Sequence, residues 1–245
     1  NPKFIFGLFV VTTFAAFRIN NYYHTFLGLD VHLYSDEAIY AMLAKRFLEG
    51  DFINAFHPYW NSGFPLFTIP FYLITQSWEK AQIFLSMTAS VLMIYAMYLT
   101  LGRINLVLGI IASYLAAFSA PLARLTLVGG WTEPLYILLL WTSVFFTWQI
   151  IQTQKLRYYI FAGIFLGLAY FTRTDAIYTV FAFLVFLSLS IILEKRVGYF
   201  KILNPLTIST LLLILAGYIW WILNITKFLK TTTVVYQPSA TFMAF

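Results

Sequence analysis

Long apolar runs, separated by only a few charged residues, are the feature that most restricts how this chain can fold. A helix needs about 20 apolar residues to cross the hydrocarbon core of a bilayer, and about 17 to 25 are tolerated. Six runs approach this length: Ala81–Leu101, Ile104–Leu122, Trp131–Ile151, Leu156–Phe171, Ala176–Leu193 and Leu206–Ile225. A shorter run, Phe4–Phe17, reads as the remainder of a further span. The sequence therefore predicts an all-α polytopic membrane protein with about seven transmembrane helices.

The composition argues against a soluble globular domain and against a nucleic-acid-binding protein. Charged residues make up 10% of the 245 residues, whereas soluble domains carry about 25%. The net charge of +6 does not indicate nucleic-acid binding, because the basic residues stand singly between apolar runs. The chain opens on Asn1 with no signal-peptide pattern. We expect residues 1–245 to form a single membrane module of a longer protein whose carboxyl-terminal part follows.

The distribution of Lys and Arg predicts the orientation in the membrane. With Lys3 inside, short inner segments hold seven of the 15 basic residues: Lys3, Arg103, Lys155, Arg157, Lys195, Arg196 and Lys201. The other eight are spread over a long first loop and three further loops, and dense basic charge in short loops marks the cytoplasmic side. The outer side then holds eight of the nine acids: Asp30, Asp36, Glu37, Glu49, Asp51, Glu79, Glu133 and Asp175.

The first outer loop, Arg18–Lys80, is too long to be a simple connector, since structureless loops beyond about 12 to 15 residues are uncommon and usually functional. Ser35 followed by two acids marks a helix start, and Gly50 marks its end. Apolar residues recur at helical spacing between them, so we predict an amphipathic surface helix over Asp36–Glu49. An aromatic and turn-forming stretch follows at residues 57–65 and is expected to line a groove at headgroup level.

Two interpretations of the acids at the helix start stay open. Asp36 and Glu37 favour the helix dipole wherever they point, or one of them serves chemistry. Adjacent helical residues point about 100° apart, so one carboxylate can be catalytic while the other holds the helix. His57 by itself is typical of a polar loop residue. The three histidines show no metal-ligand spacing, so no metal site is predicted, and a divalent cation is left open as a cofactor.

Several stretches together resemble the GT-C glycosyltransferases, in particular protein O-mannosyltransferases and lipid A aminoarabinose transferases. In the first loop they are Asp36-Glu37-Ala38-Ile39-Tyr40-Ala41, Ala44-Lys45-Arg46, Gly50-Asp51-Phe52 and Gly63-Phe64-Pro65-Leu66. Later stretches are Thr132-Glu133-Pro134-Leu135-Tyr136 and residues 167–175. One departure is notable: the aminoarabinose transferases carry a lysine before the proline turn, whereas this chain reads Asn61-Ser62-Gly63-Phe64.

The resemblance implies a polyprenyl-phosphate-linked sugar donor and an acceptor hydroxyl on a protein, lipid or glycan. It implies Asp36 as general base in an inverting transfer, with Glu37 and Glu133 on the catalytic side. Because the family lysine is missing, either another cation meets the donor phosphate or the donor lies differently. As the cation, Arg173 is preferred over Arg124. The remaining substrate-binding candidates are His57 and Tyr40.

The sequence also allows two alternatives from other functional classes. A transporter would place ionisable residues within spans and break helices at mid-membrane, and a non-catalytic membrane subunit would bind lipid only. The acids of this sequence fall at outer span ends or outside spans, which favours the enzyme. The expected setting is the plasma membrane of a prokaryote, with the site on the extracytoplasmic face and no nucleic-acid partner.

Overall fold

The computed structural model describes residues 2–26, 35–57, 60–127, 131–153, 155–173, 175 and 178. Within them the chain is all-helical: α1 Pro2–Phe26, α2 Ser35–Leu48, α3 Phe52–Ala55, α4 Gly63–Thr75, α5 Trp78–Ile104, α6 Leu106–Phe118, α7 Ala120–Leu127, α8 Glu133–Thr153 and α9 Leu156–Thr172. The predicted spans Ala176–Leu193 and Leu206–Ile225 lie outside the described residues.

Two of these helices, Pro2–Tyr23 of α1 and all of α5, are long and apolar enough to cross a membrane. A third span is obtained if α6 and α7 count as one bent helix. Large apolar side chains stay exposed on the outside of the bundle, such as Phe9 on α1, Leu115 on α6 and Ile160 on α9, as lipid-facing helices require. An integral membrane protein with long apolar helices is confirmed, while the number of seven spans stays a prediction.

Helix α5 is the centre of the described bundle and packs against α1, α4, α6 and α8. Hydrogen bonds fix the direction of its neighbours. The Tyr98 hydroxyl near the end of α5 donates to the Phe4 carbonyl near the start of α1 at 2.5 Å. The Tyr22 hydroxyl near the end of α1 lies 2.8 Å from Ser90 Oγ in the first half of α5. Helices α1 and α5 are therefore antiparallel.

The predicted single span over Ile104–Leu122 is wrong in one respect, because it is broken into α6 and α7 with a bend of 54°. The break falls at Ser119, two residues before Pro121. A proline lacks the amide hydrogen that would continue the helix. Two carbonyls at the break gain a buried partner from α1, since Arg18 Nη2 donates to the carbonyls of Ala116 and Ser119, each at 3.0 Å.

Arg18 also explains why α1 is longer than the apolar run Phe4–Phe17. A guanidinium is costly inside a membrane, so hydropathy ends the span before Arg18. In the fold, Arg18 is only 3% exposed, and its guanidinium lies 5.2 Å from the centre of the Tyr22 ring. The carbonyls at the α6–α7 break and this ring contact the guanidinium, while its Nε has no hydrogen-bond partner among the described residues. The helix continues to Phe26.

The predicted surface helix is present as α2, with Asp36 and Glu37 in its first turn. Gly50 ends it with a positive φ of 79°. The amide of Gly50 donates to the Phe47 carbonyl, and the amide of Asp51 donates to the Arg46 carbonyl, which is the glycine-dependent Schellman arrangement. The buried face of α2 includes Leu43, and this face packs against α3, α4 and α5.

The described acids all lie at one end of the bundle, together with basic residues such as Lys45 and Lys80, whereas the charged residues described at the other end are basic alone. At the end where α1 begins, α5 ends and α8 leads into α9, the described charged residues are all basic: Lys3, Arg103, Lys155 and Arg157. The opposite end carries the described acids, including Asp36, Glu37, Glu133 and Asp175. We refer to these as the basic end and the acidic end.

Candidate active site at the acidic end of the bundle

A three-residue charge cluster joins the end of α9 to the start of α8. Arg173 is the C-cap of α9, and its Nη1 donates to Glu133 Oε1 in an ion pair. The same nitrogen donates to Thr132 Oγ1 at 3.2 Å, and Nη2 donates to Asp175 Oδ2 at 2.6 Å. Arg173 therefore bridges two carboxylates from different parts of the chain.

The environment of Arg173 favours its charged form. Burial by itself would lower its pKa, but the hydrogen bonds and negative charges of Asp175 and Glu133 outweigh burial and raise the pKa of Arg173. Glu133 also stands in the first turn of α8, where the helix dipole favours a carboxylate. Its second oxygen, Oε2, is buried and has no hydrogen-bond partner among the described residues.

The two acids at the start of α2 have different surroundings. Asp36 is exposed, whereas Glu37 is buried, with 8% of its surface exposed. The backbone carbonyl of Glu37 accepts a hydrogen bond of 2.9 Å from Gln82 Nε2 on α5. The orientation of α2 therefore presents Asp36 outward and uses the residue beside it to attach the helix to the bundle.

A stripe of buried polar residues on α5 links α2, α8 and α1. Gln82, Ser86 and Ser90 follow one another at four-residue spacing, and each is 0% exposed. Gln82 holds the start of α2, Ser86 Oγ donates to the Trp131 carbonyl at 3.3 Å, and Ser90 meets Tyr22 of α1. Four helical residues rise about 6 Å. The attachment points of α2 and of the segment that leads into Glu133 are thus one helical turn apart.

The aromatic segment before α4 packs over the end of α9. The Asn61 side-chain amide donates to the Tyr170 carbonyl at 3.1 Å, and the rings of Phe56 and Phe171 are 6.3 Å apart. Gly63 permits the contact, because a Cβ at this position would lie 2.7 Å from the Phe171 carbonyl oxygen. The segment is thereby placed within three residues of Arg173 along α9.

His57 lies in this segment, and the centre of its ring is 4.7 Å from that of the Trp60 ring, which is tilted by 58°. Its Nδ1 accepts from the Trp60 amide at 3.3 Å, so the neutral ring carries its proton on Nε2. Burial, together with the positive charge of Arg46, lowers the pKa of His57. At neutral pH this side chain is therefore an uncharged hydrogen-bond donor.

The remaining two sequence-predicted candidates lie apart from the charge cluster. Tyr40 packs its ring 5.4 Å from Phe64 and adjoins the apolar core under α4. Arg124 is exposed on α7 and lines a cavity of about 640 Å³ together with Trp131. Trp131 is two residues before Glu133, so this cavity opens beside the start of α8.

The structure thus brings Glu133 and Arg173 into direct contact and attaches the start of α2 to the same end of α5. Sequence reasoning missed Gln82, Ser86 and Asn61 as the residues that make these attachments. Polar residues at four-residue spacing in an apolar span were the available signal. Among the described residues, no three His, Cys, Asp or Glu side chains converge to hold a metal ion.

Residues 63–223 match the family model for dolichyl-phosphate-mannose-protein mannosyltransferases, and this match covers about two thirds of the chain. The chain belongs to this family. The resemblance to protein mannosyltransferases inferred from the motifs is confirmed, and family membership implies a membrane glycosyltransferase. Searches of curated proteins and of solved structures gave no match.

The matched region of this mannosyltransferase-family chain begins at Gly63 and includes Glu133 and Arg173. It begins after α2, so Asp36 and Glu37 lie outside it. The matched region thus includes the helices that carry Glu133 and Arg173, and the roles of all the site residues stay predictions.

Proposed function

We propose that the chain transfers a mannosyl group from a polyprenyl-phosphate donor to a hydroxyl group of an acceptor, with protein as the first acceptor class to test. The observation that carries this proposal is the attachment of α2 and α8 to adjacent turns of α5. It sets an exposed carboxylate, Asp36, at the acidic end that also holds Glu133 and Arg173. Family membership supplies the chemistry that such an arrangement can perform.

Asp36 acts as general base in this proposal. The acceptor oxygen forms a bond to the anomeric carbon while the bond from that carbon to the phosphate oxygen breaks. The electron pair of the broken bond leaves with the phosphate, and Asp36 accepts the acceptor proton. Direct displacement inverts the anomeric carbon. Phosphate departs without being protonated, so a base and a cation are the only groups that the chain has to provide.

The sequence favoured Arg173 as the cation for the departing phosphate, but its contacts favour Arg124. Both terminal nitrogens of Arg173 donate to carboxylates, and a phosphate would have to compete with them. Arg124 is exposed and lines a cavity next to Trp131, where a phosphate head and a sugar ring can be accommodated. In this assignment Arg173 holds α8 and α9 together, and Arg124 stabilises the leaving phosphate.

The acidic end is proposed to face the extracytoplasmic side of a prokaryotic plasma membrane. The argument is electrostatic, because the described charges at the opposite end are all basic and short basic segments stay in the cytoplasm. The lipid-linked donor would then present its head at the same level as α2 and α4.

One observation favours the transporter alternative. The α6–α7 break and the buried Arg18 are features that transporters use at mid-membrane. Here, however, Arg18 donates to the carbonyls at the break, so this irregular backbone already has a protein partner.

Label transfer separates the two functions. The full-length protein in nanodiscs is incubated with polyprenyl-phosphate-[³H]mannose and a peptide rich in Ser and Thr. The proposal predicts tritium on the peptide with inverted anomeric configuration. Proteoliposomes that move the intact donor across the membrane, with no labelled peptide, would support the transporter and refute the enzyme.

A further inference from the structure

Gln82 occupies an unusual position for an amide side chain. It lies in the first two turns of α5, the longest described helix, and is 0% exposed. Its Nε2 donates to the Glu37 carbonyl at 2.9 Å, whereas its Oε1 is buried and has no hydrogen-bond partner among the described residues. Only a donor nitrogen can face a carbonyl, so the Glu37 contact fixes which way the amide points.

The Gln82 side chain contributes little to the stability of the fold, because only its Nε2 is hydrogen-bonded. Burying a polar oxygen without a partner has an energetic cost, and one neutral hydrogen bond offsets it only in part. A methionine of similar shape would fill the same space without that cost. The contribution of Gln82 is therefore directional, because its single bond sets where the first turn of α2 lies on α5.

We propose that Gln82 is a positioning residue for sugar transfer: it fixes the first turn of α2, and with it Asp36, relative to the α8 end that carries Glu133. The inference rests on the proposed function, in which Asp36 is the general base. Ser86 supplies the second reference point, since it holds the Trp131 carbonyl one turn further along α5. The distance between base and charge cluster is thus set by one rigid helix.

The test compares Gln82→Met with wild type in the full-length protein. The probes are polyprenyl-phosphate-[³H]mannose and a peptide rich in Ser and Thr. A misplacement of about 1 Å can cost about 10²-fold in rate, so kcat is expected to fall at least about tenfold. KM for the donor is expected to change less than about twofold, because an interaction that matters only in the transition state was lost.

Gln149→Met is the matched control. Gln149 is also buried in an apolar helix and its Nε2 has no partner among the described residues, but it lies toward the basic end of α8. The same chemical change there should leave kcat and KM unchanged. Gln82→Asn is a second variant, in case Gln82→Met does not fold. It keeps an amide but withdraws it from Glu37, and the same loss of kcat is expected.

The inference and the proposed function fail separately. If Asp36→Asn lowers the transfer rate at least about 10²-fold while folded Gln82→Met or Gln82→Asn matches Gln149→Met in kcat, the positioning role is refuted and the general base stands. If Asp36→Asn keeps full activity, the proposed function of Asp36 fails. In the double variant Gln82→Met/Asp36→Asn, the rate should equal that of Asp36→Asn, because Gln82 acts through Asp36. A further independent loss would contradict the proposal.

Discussion

Replacing Arg173 by methionine should destabilise the bundle through Glu133 rather than through Asp175. Arg173→Met keeps most of the apolar side-chain stem but removes the cation that pairs with both carboxylates. The two pairs differ in burial, since the Glu133 side chain is 24% exposed and the Asp175 side chain is 59% exposed. The loss of the cation costs more at Glu133, because water reaches this carboxylate less than it reaches Asp175.

The magnitude follows from these exposures. Breaking a fully buried ion pair costs about 3 to 5 kcal/mol, while an exposed pair contributes about 0 to 1 kcal/mol. The partly exposed pair of Arg173 with Glu133 falls between them, and we expect about 2 kcal/mol for Arg173→Met. Asp175→Asn should cost less than about 0.5 kcal/mol. For a chain of this size, 2 kcal/mol corresponds to a fall in Tm of about 4 to 8 °C.

Thermal unfolding followed by tryptophan fluorescence in detergent provides the measurement. The double variant Glu133→Gln/Arg173→Met should lose less stability than the sum of the single variants, because the amide no longer needs a cation. A larger effect of Asp175→Asn than of Arg173→Met would refute the reasoning. An unchanged Tm in Arg173→Met would refute it as well.

Three further predictions follow from single positions. Gly63→Ala should cost about 1 to 3 kcal/mol of unfolding free energy, since its Cβ would meet the Phe171 backbone, and equal Tm values for wild type and Gly63→Ala would contradict this packing. Gly50→Ala has open space around its Cβ but a positive φ, and it should cost about 1 kcal/mol. Burial lowers the pKa of His57. Its contribution to the free energy of unfolding is therefore complete above the unfolded pKa of about 6.5 and is lost as pH falls through the lower folded pKa. Acid unfolding curves of His57→Gln should show a weaker pH dependence than those of wild type, and identical curves would contradict this prediction. Arg124→Ala should raise the KM for the lipid donor about tenfold or more if it meets the phosphate, whereas an unchanged KM would remove it from the site.

The helices were largely predictable because apolar length is a local property. The runs Ala81–Leu101, Trp131–Ile151 and Leu156–Phe171 reappear as α5, α8 and α9 with ends shifted by a few residues. The surface helix was also predictable, because its acidic start and its glycine end are both local signals. These parts of the fold needed no knowledge of distant contacts.

Features that depend on tertiary contacts were not predictable. Hydropathy ended the first span before Arg18, since nothing in the sequence indicates that the carbonyls of Ala116 and Ser119 would receive its guanidinium. The α6–α7 break depends on the same contact. Gly63 was read as a turn residue, but its contact with the end of α9 joins positions about 110 residues apart.

In the candidate site, too, the residues with local signals were predictable and the tertiary contacts were not. Sequence and resemblance together selected Asp36, Glu133 and Arg173, and the structure brings the last two into contact. They did not show that both terminal nitrogens of Arg173 donate to carboxylates. Because of these contacts, we propose Arg124 rather than Arg173 as the cation for the donor phosphate. The four-residue spacing of Gln82, Ser86 and Ser90 indicates a buried polar face on α5 but no function, and only the hydrogen bond to Glu37 points to a role for Gln82.

The rate of sugar transfer by Asp36→Asn tests the central claim most directly. The amide keeps the shape of the side chain and much of its effect at the helix start, but it cannot accept a proton. Full-length wild type and variant are compared under single-turnover conditions with polyprenyl-phosphate-[³H]mannose, beside donor binding and Tm as controls. We expect a loss of at least about 10²-fold in the transfer rate, with donor binding and folding retained. A transfer rate within a few-fold of wild type would contradict it and leave Asp36 as a helix-end residue.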